Sequence, residues 1–213
     1  MPPAKPRRLR LFEHPLIQRD LTILRDRRTP SRQFRAVLRR ASILMAYETT
    51  QDLAMKSIRI KTPLESTKGV VLGRSVVLVP ILRAGLGMVG GFVEVLPDAN
   101  VGHIGLYRNE ETLQPVDYYF KVPRNLARCE VIVLDPMLAT GGSAVAAVRY
   151  LKERGARRLR LVCLVAAPEG VRALTKAHPD LTIYSAVLDR RLNRHGYILP
   201  GLGDAGDRMF GTL

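Results

Sequence analysis

Val131-Ile132-Val133-Leu134-Asp135-Pro136-Met137-Leu138-Ala139-Thr140-Gly141-Gly142-Ser143 is the stretch on which the reading of this chain turns. An apolar, β-branched run from Glu130 to Leu134 predicts a buried strand. The strand ends in an acid, Asp135, and after a short loop Thr140-Gly141-Gly142-Ser143 opens a helix predicted to reach about Arg154. Two adjacent glycines let the backbone turn tightly and come close to a ligand with no Cβ in the way. The N–H groups that follow converge at the positive end of the helix dipole, where an anion is favoured. The hydroxyls of Thr140 and Ser143 add donors. No Lys follows the glycines, so the loop is not built to embrace the β and γ phosphates of a nucleoside triphosphate. It suits one terminal phosphomonoester, and Asp135 at a strand's carboxyl end suits ribose hydroxyls.

Working outward, the same strand-then-helix alternation recurs. Strands are predicted over Ser75–Pro80, Val101–Tyr107, Leu159–Ala166 and Leu181–Val187, with helices over Gly85–Leu96 and Pro168–His178. Toward the amino end, one helix is predicted to about Arg28. A second is predicted from Arg32 to Ala54, because Phe34, Val37, Leu38, Ala41, Leu44 and Met45 recur at three- and four-residue spacing. Short apolar strands separated by helices imply an α/β fold with a mainly parallel sheet flanked by helices. Arg108 to Pro123 breaks the alternation with charged and aromatic residues and reads as a flexible hairpin near the site. The Gly-rich tail from Leu188 reads as irregular. With no repeat and no linker, 1–213 is expected to be a single domain preceded by a solvated basic arm over 1–13.

The chain has 213 residues, 46% hydrophobic and 25% charged, which is ordinary for a globular protein. Cys129 and Cys163 stand alone with no metal-ligand spacing, so a reducing cytoplasm is the expected compartment. No apolar run approaches a membrane span. The net charge of +15 is the one strong deviation. It fits a polyanionic partner or the steering of a small polyphosphate. Much of it is Arg scattered along the chain, which favours a solvated surface over a nucleic-acid stripe.

Asp-x-x-x-x-Thr-Gly-Gly-Ser after a hydrophobic strand resembles the phosphoribosyl-diphosphate motif of the type I phosphoribosyltransferase family. Many members begin it with two acids; here the second position is Pro136, and Asp135-Pro136-Met137-Leu138-Ala139-Thr140-Gly141-Gly142-Ser143 is similar to the uracil branch. Three further stretches resemble that branch in order. Pro80-Ile81-Leu82-Arg83-Ala84-Gly85-Leu86-Gly87 resembles its pyrophosphate loop, with Arg83 on the diphosphate. Tyr107-Arg108-Asn109-Glu110-Glu111-Thr112 resembles its flexible-loop motif, with Arg108 as a second diphosphate ligand. The tail Gly196-Tyr197-Ile198-Leu199-Pro200-Gly201-Leu202-Gly203-Asp204-Ala205-Gly206-Asp207-Arg208 resembles its base-binding segment. By that likeness Ile198, Gly203 and Ala205 contact uracil largely through backbone, and Asp204 serves the phosphoribosyl diphosphate and its metal.

The resemblance runs from about His14 to Thr212 and implies the type I fold with a small hood region. It implies transfer of the 5-phosphoribosyl group from phosphoribosyl diphosphate to uracil, giving UMP and pyrophosphate. Asp135, Arg83 and Arg108 are then the candidate catalytic residues, and 135–143 the phosphate and ribose site. Mg²⁺ is the implied cofactor, held without a direct protein cage and reached by Asp204 through water. A homodimer or larger assembly and activation by GTP are implied by relatives. Two departures, Thr49 in place of the usual Ala and Arg194 in place of a common acid, lie outside these motifs. An RNA-binding regulator on the same fold and a phosphoribosyltransferase for another base stand as alternatives.

One decoy needs separate treatment. Gly85-x-Gly87-x-x-Gly90 matches a dinucleotide fingerprint, but a Rossmann site also wants an acid ending the next strand. That strand ends at Tyr107-Arg108. The four histidines show no metal spacing. His103 and His178 read as structural, and His195 as a solvated loop residue near the base segment.

Overall fold

The computed structural model describes residues 8–108 and 115–212. In chain order its amino-terminal half holds β1 (Leu9–Leu11), α1 (Pro15–Arg25), α2 (Ser31–Thr49), β2 (Met55–Lys61), β3 (Ser66–Leu72), β4 (Val76–Leu82) and α3 (Leu86–Val95). Then come β5 (Asn100–Val101), β6 (His103–Arg108), β7 (Pro115–Lys121), β8 (Glu130–Leu134), β9 (Met137–Leu138) and α4 (Gly142–Glu153). The chain finishes with β10 (Arg158–Ala166), α5 (Pro168–Ala177), β11 (Thr182–Leu188), β12 (Arg191–Leu192), β13 (Ile198–Leu199) and α6 (Ala205–Phe210).

Among the described residues one sheet runs in the order β1-β11-β10-β8-β4-β6-β7, with β5 beside β4 and β9 beside β10. Every pairing is parallel except β6 with β7. Period-two alternation along the central strands divides the core. Leu78, Ile132, Leu134, Val162 and Leu164 face α1, α2, α3 and α6, whereas Val77, Val79, Val131, Val133, Leu161 and Cys163 face α4 and α5. Burial on both faces is why these strands read as continuous apolar runs instead of alternating ones.

The sequence expectations differ from the structure at several places. The amino-terminal arm is not solvated throughout: Leu9–Leu11 joins the sheet edge against Ile183–Ser185, and Leu9 and Phe12 are buried. α2 stops at Thr49 rather than Ala54, because the Thr50 hydroxyl donates to the Ala46 carbonyl at 2.8 Å and Asp52 is drawn to Arg160 at 2.6 Å. The strand expected over Val101–Tyr107 is broken at Gly102, whose N–H donates to Leu78 O; a Cβ there would lie 2.7 Å from Val122.

The β2–β3 hairpin carries Met55, Ile60, Val70, Val71 and Leu72 exposed, and its alternating Ser57-Ile58-Arg59-Ile60 was a strand signal. The irregular tail contains the β12–β13 pair and α6. Among the described residues no helix is long and apolar enough to cross a membrane.

Gly87 of the decoy fingerprint and Gly91, just beyond it, have a packing role. A Cβ on Gly87 would lie 2.2 Å from Met209 Sδ and one on Gly91 2.5 Å from Arg39 O. They let α3 press against α2 and α6, which a dinucleotide site does not require.

Candidate active site

β8 delivers Asp135 to the sheet's carboxyl edge. Its carboxylate accepts an N–H from Met137 at 3.2 Å. Packing that strips water from the group pushes its pKa up to about 7; the Met137 N–H opposes the shift, and the negative charge of Asp204 adds to it. The segment beyond Asp135 is not a free loop. Pro136 O accepts from Leu164 and Val165 at 3.1 and 3.0 Å, and Met137–Leu138 pairs with Val165–Ala166. Pro is tolerated there because its residue contributes only an acceptor to the crossover between strands.

Gly141 then takes φ +86, and α4 begins at Gly142 without a side-chain cap. The first N–H groups of that helix therefore open onto a cleft of about 100 Å³ lined by Asp135 and 137–144. Thr140 Oγ1 lies 3.5 Å from Gly142 N, too long to occupy it firmly. Gly170 in α5 backs the loop: a Cβ on it would lie 2.4 Å from Ala139 O and 2.8 Å from Leu138 O. The sequence offered no marker for that role beyond a glycine near a helix start.

β4 delivers the Arg83 turn through a cis Leu82–Arg83 peptide. A Cβ on Gly85 would lie 2.4 Å from Leu134 O, so this turn lies directly against the end of β8. The Arg83 side chain, 56% exposed, pairs with Asp207 at 3.0 Å and sits over the Phe210 ring. The Thr212 hydroxyl and Arg83 hold the Asp207 carboxyl below its usual range. Arg108 ends β6, and its side chain lies outside the described residues, as do Asn109, Glu110, Glu111 and Thr112.

From the other side, β13 places Ile198, and the chain turns through a cis Leu199–Pro200 bond, Gly201 and Gly203 to Asp204. Asp204 caps α6 by accepting the Asp207 N–H at 2.9 Å. Ile198 and Ala205 are buried at 4% exposure each, so their side chains belong to the core. A cleft of about 310 Å³ joins these segments: Ala84 from the Arg83 turn, Met137 and Ala139 from the phosphate loop, and 195–198 with 203–206 from the tail. Five of its lining residues, Ala84, His195, Gly196, Tyr197 and Gly206, were not among the site candidates. Glu169 of α5 accepts the Leu192 N–H at 3.2 Å, tying the tail hairpin to the helix behind the phosphate loop.

The structure thus brings Asp135, 137–143, Asp204, Gly203, Ala205 and Ile198 around adjoining clefts, with Arg83 at their edge, while Pro136 is buried in the crossover and lines neither cleft. Asp204 is close enough for its charge to act on Asp135. Among the described residues no cluster of three or more His, Cys, Asp or Glu could hold a metal. Cys163 is fully buried with its thiol pushed up to about 12 by loss of solvent, which rules it out as a nucleophile. His178, bonded to Val145 O at 3.0 Å, is structural.

Comparison with known proteins gives four findings. The family model described as uracil phosphoribosyltransferase matches residues 11–212. A uracil phosphoribosyltransferase of Alkaliphilus oremlandii is 57% identical, over 95% of this chain and 97% of that protein. Among solved structures, the AQ2163 protein of Aquifex aeolicus superposes with a TM-score of 0.90 at 35% identity, over 95% of this chain and 97% of that one. A hypoxanthine-guanine phosphoribosyltransferase of Bacillus anthracis, at 14% identity and a TM-score of 0.50 over 71% of this chain and 76% of its own, shares the fold alone.

Proposed function

The chain belongs to the uracil phosphoribosyltransferase family, and from that membership we infer that it transfers the 5-phosphoribosyl group of phosphoribosyl diphosphate to uracil, giving UMP and pyrophosphate. The observation that carries the residue-level reading is the meeting of an uncapped helix start and a tail loop around adjoining clefts. In this reading 137–143 hold the 5-phosphate through backbone N–H groups and hydroxyls. Asp135 accepts the ribose hydroxyls, which fixes the sugar over the cleft.

Arg83 and Arg108 are assigned to the diphosphate. As the bond from ribose to diphosphate lengthens, positive charge grows on the sugar and negative charge on the leaving group. Aligned guanidinium donors answer the second of these charges, and the carboxylate of Asp135 the first. Arg83 must leave Asp207 to reach the diphosphate, an exchange of one anion for another. Uracil lies in the tail cleft, read by the backbone at Ile198, Gly203 and Ala205, with its ring nitrogen facing the sugar carbon. Positioning both substrates, rather than forming a covalent intermediate, is the chain's main contribution.

The facing acids suit a hard divalent cation. Burial and the negative charge of Asp204 raise the cost of ionising Asp135, so bound positive charge is favoured there, and the lack of a third protein ligand among the described residues leaves the remaining positions to substrate oxygens and water. Asp204 would hold Mg²⁺ through water, and the ion would neutralise diphosphate charge. The two free, buried thiols fit a reducing cytoplasm. The apolar side chains exposed on β2–β3 support a homodimer or larger assembly. Residues 1–213 are read as one catalytic domain.

The test is pyrophosphate release from phosphoribosyl diphosphate with a panel of bases, with and without GTP. Uracil should be the preferred base, and GTP should raise the rate if activation holds in this chain. No release with any base, together with salt-sensitive RNA binding, would put a regulator in its place.

A further inference from the structure

Gly201 stands in the middle of the tail loop with φ +59, and a Cβ there would lie 2.2 Å from Ile198 O. Both of its backbone polar groups are taken by side chains from distant parts of the chain. Its N–H donates to Asp189 Oδ2 at 2.9 Å, and its carbonyl accepts from Arg25 Nη1 at 2.7 Å. Arg25 ends α1 and Asp189 follows β11. They are joined to each other by two parallel hydrogen bonds, Nη1 to Oδ2 at 2.9 Å and Nη2 to Oδ1 at 2.6 Å. The Asp189 side chain is 4% exposed and that of Arg25 23%.

The next residue is held from the same quarter. Leu202 O accepts from Arg208 Nη1 at 2.8 Å, and Arg208 also donates to the carbonyls of Leu24 and Asp26, the latter at 2.7 Å. The loop is therefore moored to the carboxyl end of α1 at two successive residues. Taking an ion pair out of water gains little stability over an apolar pair of the same size. What a forked guanidinium and a carboxylate supply is direction: four hydrogen bonds shared among the two side chains and the peptide restrict the position of the peptide they grip.

We propose that the Arg25–Asp189 pair is a positioning device for base recognition, fixing Gly201 so that the backbone of Gly203–Ala205 meets the uracil edge in register. This rests on the reading of 198–205 as the base side of the site. Neither residue touches substrate; both act through the loop. Peptide groups that must meet a base edge tolerate little displacement, whereas the Asp204 carboxylate in the same stretch is held separately as the cap of α6, so loosening the clamp acts more on the base than on the phosphoribosyl group, whose loop is built from β8 and α4.

The experiment uses the full chain in steady-state assays with uracil and phosphoribosyl diphosphate varied separately. Arg25→Lys keeps the charge and loses the fork; Asp189→Asn keeps the shape and loses the ion pair. Each is expected to raise the uracil KM roughly tenfold or more, and the phosphoribosyl diphosphate KM by no more than about twofold. Preference for uracil over cytosine should fall in the same variants. If both KM values rise together, if neither moves, or if both variants fail to fold, the pair is only structural and the proposal is overturned. Gly203→Ala, at φ +82, separates the two layers. Should it also leave the uracil KM unchanged, the base-side assignment itself falls and the inference with it. Should it raise that KM while the pair variants do not, only the clamp falls.

Discussion

The loop from Asp135 to Ser143 and the loop from Ile198 to Ala205 face adjoining clefts but are assembled in opposite ways. The first is contiguous: a strand, a glycine at φ +86 and a helix start, all within a dozen neighbouring positions, hold its donors in place. The second has little regular structure of its own. A two-stranded pair, a six-residue helix and side chains from α1 and the end of β11 hold it. A phosphate needs converging N–H groups, which local geometry provides. A planar base edge needs donors and acceptors at particular places, which here depend on groups far apart in the chain.

The largest expected effect tests the base loop. A backbone edge matched to uracil leaves a buried group unpaired against cytosine, so kcat/KM for uracil should exceed that for cytosine by roughly 10⁴ or more. A methyl group added at the 5 position should cost only about 1–3 kcal/mol. Comparable rates with cytosine in the pyrophosphate assay would break the contrast, because the tail would then be no more selective than the phosphate loop.

Arg83→Ala comes next and probes the edge between the loops. Loss of one aligned donor to a developing anion should lower kcat/KM by roughly 10² to 10³. The Arg83–Asp207 pair is a solvent-screened surface ion pair that adds little to stability, so thermal melting should hardly shift. An unchanged kcat/KM removes Arg83 from the site.

Asp135→Asn sharpens the phosphate side through pH. The folded carboxyl is raised from 3.8 to about 7, so the folded chain binds more protons than the unfolded one between those values. Stability contributed by the protonated carboxyl is therefore lost as pH rises through about 7. Asparagine does not titrate, so its advantage in Tm over the parent should be larger at about pH 8 than at about pH 4. Activity should fall in the same variant. A Tm difference that does not vary with pH would mean that Asp135 is ordinarily solvated.

The smallest effect lies away from both loops. Thr49 is fully buried, and its Oγ1 has no hydrogen-bond partner among the described residues. Thr49→Val keeps the shape and removes the orphan hydroxyl, which should add about 1 kcal/mol of stability and leave both KM values alone. A fall in Tm would show that the hydroxyl is satisfied in solution. Arg194 sits beside His195 at the exposed end of the tail hairpin, and nothing in the structure explains its departure from the family's usual acid.

Much of the sheet was legible because each central strand is a short, uninterrupted apolar run and each flanking helix has a distinct start or stop. The phosphate loop was legible for the same reason, its chemistry lying in adjacent residues. The β2–β3 hairpin was missed although Ile58 and Ile60 alternate with polar residues, since its exposed apolar side chains do not mark a core. β9 was missed because two residues cannot show a period; pairing with Val165 and Ala166 makes them a strand. The amino-terminal arm looked solvated because Arg8 and Arg10 outweigh Leu9 in composition, yet the sheet edge at β11 gives its backbone partners.

By itself, then, the sequence determined the α/β class, the glycine turn and helix start after β8 and the order of the motifs, because each rests on residues that are neighbours in the chain. Tertiary structure alone decided what the phosphate loop leans on and where the tail loop is held. Gly170 admits a helix to the loop's back, Asp204 lifts the pKa of Asp135, and Arg25 with Asp189 grips Gly201. Those couplings join residues from twelve to well over a hundred positions apart, and no local pattern records a contact that exists only after the chain has folded.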